Sequence, residues 1–148
     1  TLSERKNLEY YIKRFGINFT KIYLAKTFAE WKQGYLQLQS EVDMVLMTSH
    51  VGIPDWNDQE ARIFSESHVQ IPIGTEHRWS MPFALVGVAK DFNEMGVWSA
   101  HAALKILDGV PPSKIPMTAN KNGQLLFNMR MASRLGITDV PLLAEILR

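Results

Sequence analysis

Apolar positions along the chain alternate between a helical period and short unbroken runs. Leu8, Tyr11, Ile12 and Phe15 share one helix face, with Ser3 placed to cap its start and Gly16 to end it. Phe19 to Ala25 is short, β-branched and aromatic, the composition of a strand. Thr27 and Glu30 have capping-box spacing, and Phe28, Trp31, Tyr35 and Leu38 form a second helical stripe. Val42 to Met47 is a run suited to a strand buried on both faces, and residues 58–67 read as a helix. Two further runs, His68 to Ile73 and Phe83 to Val88, predict two more strands.

A long helix is predicted over 93–108, with Val97, His101 (or Ala100), Leu104 and Leu107 on one face. There His101 reads as a satisfied core histidine. Gly109 serves as its C-terminal cap and Pro111-Pro112 forbids continuation. Ile115 to Ala119 and Gln124 to Phe127 read as two strands about the turn Asn120-Lys121-Asn122-Gly123. Asn128 is placed to cap a short helix through Arg134, and a last helix is expected from Asp139, with Pro141 in its first turn. Strands alternating with helices imply βαβ units, and so an α/β fold of three αβα layers around a mostly parallel sheet.

Length and composition narrow the class. One α/β lobe over residues 1–148 fits the 148 residues, 46% of them apolar. A net charge of +1 speaks against a nucleic-acid partner. With no Cys, disulfides and thiolate chemistry are excluded. The opening Thr1-Leu2-Ser3, without Met, suggests a processed or excised piece.

In parallel α/β sheets ligands sit at the carboxyl ends of the strands. That rule selects three loops: Thr48 to Asp58, Gly74 to Pro82 and Val88 to Asn93. The first offers Thr48, Ser49, His50, Asp55, Trp56 and Asn57, an aromatic wall with convergent polar groups. The plainer reading is that Asp55, Asn57 or Asp58 caps the next helix. In the second loop Glu76 suits an ammonium group, Arg78 a carboxylate and Trp79 a stacked ring. Their plainer reading is a surface loop. His50, Glu76 and His77 could hold a metal, or serve a small α/β enzyme, only if the two loops meet. No G-x-G-x-x-G, P-loop or G-x-S-x-G pattern occurs.

An ordered series in the second half carries a resemblance. It runs Phe83-Ala-Leu-Val-Gly-Val-Ala-Lys90, Asn93-Glu-Met-Gly96, Ala102-Ala-Leu-Lys-Ile-Leu-Asp-Gly109, Pro112-Ser-Lys-Ile-Pro116, Asn120-Lys-Asn-Gly123, Asn128 and Ala132-Ser-Arg-Leu-Gly-Ile137. In this order it resembles the C-terminal half of the ABC transporter substrate-binding protein family, of the periplasmic-binding-protein type I-like kind. The resemblance implies a non-enzymatic receptor without cofactors, outside the cytoplasm or in the periplasm. It would hold a small-molecule solute between two lobes by hinge closure and deliver it to an ABC permease in the membrane. An extracytoplasmic ligand-sensing domain of a signalling protein is the alternative.

The resemblance also implies that the loop after the Val42–Met47 strand faces the cleft, through Asp55-Trp56-Asn57 or His50. Many members carry Gly-Ile-Asp where this chain has Gly87-Val88-Ala89-Lys90, so that acidic contact is missing here, which puts amino-acid specificity in question, and Lys90 favours an anionic ligand. The segment 120–148 would dock on an N-terminal lobe missing from this chain. It would leave Leu125, Phe127, Leu135, Leu142, Leu143 and Ile146 exposed, or buried in a homodimer.

Overall fold

The computed structural model describes residues 2–147, with side chains from Glu9 onward. The Leu8 side chain and the Ser3 cap expected for the first helix lie outside the described side chains.

Helix α1 spans Leu2–Phe15 and ends at Gly16, whose φ of 64° is open to glycine without strain. Helix α2 spans Phe28–Glu41 and starts as its sequence dictates. The Thr27 hydroxyl accepts the Glu30 N–H at 3.1 Å, and the Glu30 carboxylate reaches back to the Lys26 N–H at 2.7 Å. Strand β1 is Val45–Leu46, helix α3 is Asp58–His68, and strand β2 is Ile73–Thr75. A 3₁₀ segment, Arg78–Phe83, leads to strand β3, Val86–Lys90. Helix α4 is Phe92–Leu107, strand β4 is Gly123–Asn128, helix α5 is Met129–Arg134 and strand β5 is Glu145–Leu147.

These strands form one mixed sheet in the order β1-β2-β3-β4-β5. Strands β1, β2 and β3 are parallel, β4 runs antiparallel to β3, and β5 runs parallel to β4. The α/β fold with a mostly parallel sheet is thus the one expected. Ile73, Met81, Leu126, Met131 and Ala132 make its driest core, packed with Tyr35 from α2 and Phe64 from α3. Each large aliphatic side chain so buried contributes about 1.5–3 kcal/mol relative to exposure.

Several local expectations are corrected. Phe19 to Ala25 forms no strand. Side chains anchor it instead: the Tyr23 ring lies where a Cβ at Gly34 would collide, and Ala25 packs on an aromatic cluster. The run 68–73 pairs only from Ile73, because the Gln39 side-chain oxygen takes the N–H groups of Gln70 and Ile71 (2.7 and 3.1 Å) and Pro72 has none. Phe83 closes the 3₁₀ segment, so β3 starts later than its apolar run. His101 is exposed.

No hairpin forms between 115–119 and 124–127. Strand β4 pairs with β3, Gly123 keeps a negative φ, and the Glu94 carboxylate holds the N–H groups of Lys121 and Asn122 (2.9 and 2.8 Å). The helix expected from Asp139 is absent. Its place is taken by β5 on the sheet edge, where pairing with β4 satisfies the backbone. Phe127 is therefore buried, and Leu125, Leu135 and Ile146 half-buried, on this chain's own sheet. Of the six residues expected to be open, Leu142 and Leu143 are fully exposed.

Candidate functional site

The carboxyl ends of β1, β2 and β3 lie at one end of the sheet, and two of the three expected loops meet there. Residues 48–58 of the loop after β1 and residues 76–83 of the loop after β2 come together at His50. The His50 ring stacks on Trp56 (4.3 Å between centroids, 19° between planes) and meets the edge of Phe83 at 5.4 Å. Its Nδ1 faces the Ser80 hydroxyl at 3.5 Å, and its Nε2 faces the Asp58 carboxylate at 3.8 Å. Burial pushes the imidazole below its ordinary pKa. Asp58 opposes that shift, and His77 on the neighbouring loop adds to it.

Behind this surface lies an aromatic cluster. Phe83, fully buried, contacts Trp31 and Trp56 edge to face, and Phe28 stacks on Trp31. The cluster fixes the loop from within, and polar bonds fix it from outside. Asp55 Oδ1 accepts the Phe28 N–H at 2.8 Å, which ties the loop to the first turn of α2. Asn57 caps α3 by accepting the Glu60 N–H at 2.9 Å. The Trp56 indole N–H donates to Asp58 at 2.8 Å. Asp55 and Asn57 thus do the structural work of helix caps as well as lining the loop. Ser49 accepts the Val51 N–H at 3.3 Å in a local turn, and the Thr48 carbonyl faces Ser80 at 3.5 Å.

The second loop presents a second stacked pair, His77 on Trp79, at 4.3 Å and 13°. Trp79 stays 46% exposed. Glu76 is exposed beside His77, whose Nε2 lies 3.5 Å from its carboxylate. Arg78 does not stand open for a ligand carboxylate: its guanidinium forks onto Glu145 and also reaches Gln124. Lys90 lies at the far end of β3, exposed and opposite Gly123, apart from the His50 cluster.

His50, Glu76 and His77 do not assemble a metal-holding group; none of three or more such ligands occurs among the described residues. Ser80, His50 and Asp58 stand in a line, yet Ser80 is fully buried, so no substrate carbonyl reaches its oxygen. Sequence reasoning missed Ser80 and Phe83 as parts of the site; both look like ordinary residues of an apolar stretch. An open groove between α3 and α5, lined by Glu66, Met129, Arg130, Ser133 and Arg134, lies away from these loops, and Glu66 there pairs with Arg62 and Arg130.

The family model described as "ABC transporter substrate binding protein" matches residues 2–144. None of the curated proteins compared with the chain matches it. Among solved structures, the chain is similar to a substrate-binding protein with adhesive properties from Clostridium difficile in its ligand-free, open form, at 18% identity and a TM-score of 0.71. That match covers 99% of this chain and 49% of the other. The ABC domain in complex with L-Trp from Streptococcus pneumonia matches at 19% identity and a TM-score of 0.64, over 97% of this chain and 50% of that one. A conserved domain protein from Vibrio cholerae matches at 18% identity and a TM-score of 0.66, over 98% and 49%. The chain therefore spans about half the length of the structures it matches.

Proposed function

Because the chain belongs to the ABC transporter substrate-binding protein family, whose members bind and do not catalyse, we propose that it forms one wall of a solute-binding cleft. The wall is the surface made by the loops after β1 and β2: Thr48, Ser49, His50, Trp56, Glu76 and Trp79, with Asp55 and Asn57 as its braces. The observation that carries this reading is the junction at His50, which joins both strand-tip loops into one polar and aromatic surface.

The solute in this reading carries a planar ring and an ammonium group. The half-exposed Trp79, stacked on His77, suits the ring, and the exposed Glu76 suits the ammonium. The L-Trp in complex with the Streptococcus neighbour has both. Lys90 lies apart from this cluster and would meet an anionic part of the ligand only after the cleft closes.

Closure would bend the chain at the β3–β4 ribbon. Pairing of β2 with β3 ends at Thr75–Gly87, and that of β4 with β5 begins at Leu126–Glu145. Val88–Lys90 and Gly123–Leu125 thus pair only with each other, as two strands beyond the sheet. A two-stranded ribbon is a natural bending point. In the cell the protein would work outside the cytoplasm, handing its solute to a membrane permease.

The test is calorimetric titration of the protein with L-tryptophan and, separately, with a dicarboxylate. Binding of L-tryptophan that weakens at least tenfold in Trp79→Ala supports the reading. Binding of the dicarboxylate alone, lost in Lys90→Ala, would replace it with an anion receptor. Binding of either solute that no loop substitution alters would sink it.

A further inference from the structure

The loop after β2 divides into a sealed half and an open half. In the sealed half Ser80, Met81 and Phe83 are fully buried. Met81 crosses strand β3 at Gly87, where its sulfur takes the place that a Cβ would need. Gly87 pairs with Leu126 on β4, and Leu126 with Glu145 on β5, so the three mark one line across the sheet. In the open half none of Glu76, His77, Arg78 and Trp79 is buried.

Little holds the open half in place. The His77 N–H reaches the Thr75 hydroxyl at 3.2 Å, and the Ser80 N–H donates to the His77 carbonyl at 3.0 Å. Glu76 pairs with His77, and Trp79 stacks on His77. All of these contacts stay within residues 75–80. Among the described residues, Arg78 alone of the four bonds through its side chain to another strand. Its guanidinium forks onto both oxygens of Glu145, 67 residues away, and also reaches the Gln124 side-chain oxygen at 3.0 Å. Two parallel N–H···O bonds fix direction as well as distance. The guanidinium also holds the Glu145 carboxyl below its ordinary carboxylate range.

We infer that the Arg78–Glu145 bracket is a positioning device for the solute surface: by clamping residue 78 to the sheet, it sets the stacked His77–Trp79 pair on either side of it. The inference rests on the solute reading above and deepens it. Strand β5 thereby serves the site without lining it. Glu145 acts through Arg78, and Arg78 acts through its two chain neighbours. Both side chains stand in solvent, 41% and 45% exposed, so the pair adds little to global stability. Its effect falls on local geometry, and binding is where that shows. A direct grip of Arg78 on a solute carboxylate is the rival role, and both terminal nitrogens are already engaged.

Calorimetric titration of the full-length protein with L-tryptophan, and with tryptamine, which lacks the carboxylate, separates these roles. Arg78→Ala and Glu145→Gln are each expected to weaken both ligands by about tenfold, a coupling of ordinary size for residues in contact. The urea midpoint should barely move. The double variant should bind no worse than Arg78→Ala, because the two side chains act as one bracket. Arg78→Lys should not restore affinity, since an ammonium cannot fork. Without solute, the indole N–H resonance of Trp79, assigned with Trp79→Phe, should shift in Glu145→Gln while those of Trp31 and Trp56 stay. Weakening of L-tryptophan alone by Arg78→Ala, with Glu145→Gln binding it as well or better, makes Arg78 a carboxylate ligand and overturns the inference. Unchanged affinity in both variants overturns it too, as does a midpoint that falls in step with affinity. Should the unaltered protein bind neither ligand, the solute reading fails by itself, and the Trp79 resonance decides the bracket: a shift upholds it and an unmoved signal overturns it.

Discussion

The aromatic cluster under the strand tips and helix α4 are built from the same kinds of residue. Phe28, Trp31, Trp56 and Phe83 interlock with Ile53 and Ala61, and Phe83 is sealed from solvent. Phe92, Trp98, Leu104 and Leu107 line a helix none of whose residues is fully buried. The difference lies in supply of partners. The cluster draws on α2, α3 and both strand-tip loops, all within this chain, whereas α4 stands on a ribbon beyond the sheet. Apolar residues show that a segment wants a cover and leave open where the cover is encoded.

The largest test of this contrast is Phe83→Ala. The side chain fills the space between Trp31, Trp56 and His50, so its loss leaves a cavity with rigid walls and should cost about 3–5 kcal/mol in equilibrium unfolding. A loss below about 1 kcal/mol would mean that the cluster is loose and the contrast false. Next comes Asn128→Ala. Asn128 is 1% exposed; it caps α5 through the N–H groups of Arg130 and Met131, and its amide donates to the Met81 carbonyl at 2.9 Å. Removing it strands those groups and should cost about 2 kcal/mol by the same measurement. An unchanged midpoint would show that water replaces the side chain.

A smaller effect depends on pH. The folded state holds the His50 pKa below its ordinary 6.5, mainly by burial. As pH falls through about 6.5, the unfolded chain takes up its proton first, and stability drops until the folded-state pKa is passed. Above 6.5 both states are neutral and the contribution is fully present. His50→Asn should flatten this part of the stability–pH curve relative to the parent protein. Identical slopes between about pH 5 and 7 would put His50 in water, outside the cluster.

Legibility in the sequence follows the range of the interactions. Local spacing predicts helix α3 over 58–67 and it forms over 58–68, because its cap, Asn57, is its neighbour in sequence. Helix α4 differs from its expected span by one residue at either end, since Gly109 and the two prolines end it locally. Strand bounds are less legible. Gln39 captures the N–H groups ahead of β2 from 31 and 32 residues away, and Glu94 reaches the turn at Lys121 across 27. No local pattern carries such bonds.

At the site, the meeting of the loops after β1 and β2 follows from strand direction alone, whereas Ser80 and Phe83 need coordinates. The C-terminal segment reads as uncovered through the family resemblance, while its strand β5, expected as a helix, pairs with β4 on this chain's own sheet. The error at His101 is the same as that at α4: an apolar face reads as a core whether or not a core is there.

The smallest predicted effect decides between those two meanings of apolar. In the 148-residue chain, Leu104→Ala should change unfolding stability by no more than about 0.5 kcal/mol, because a side chain 57% exposed gives up little on truncation and alanine is the better helix former. Leu126→Ala, at the centre of the sheet and fully buried, should cost about 2–5 kcal/mol on the same denaturant scale. Two leucines of one protein would then differ severalfold, for a reason that sits in their surroundings. A cost above about 1.5 kcal/mol at Leu104 would mean that α4 already packs against this lobe in solution, and the contrast with the aromatic cluster would fail.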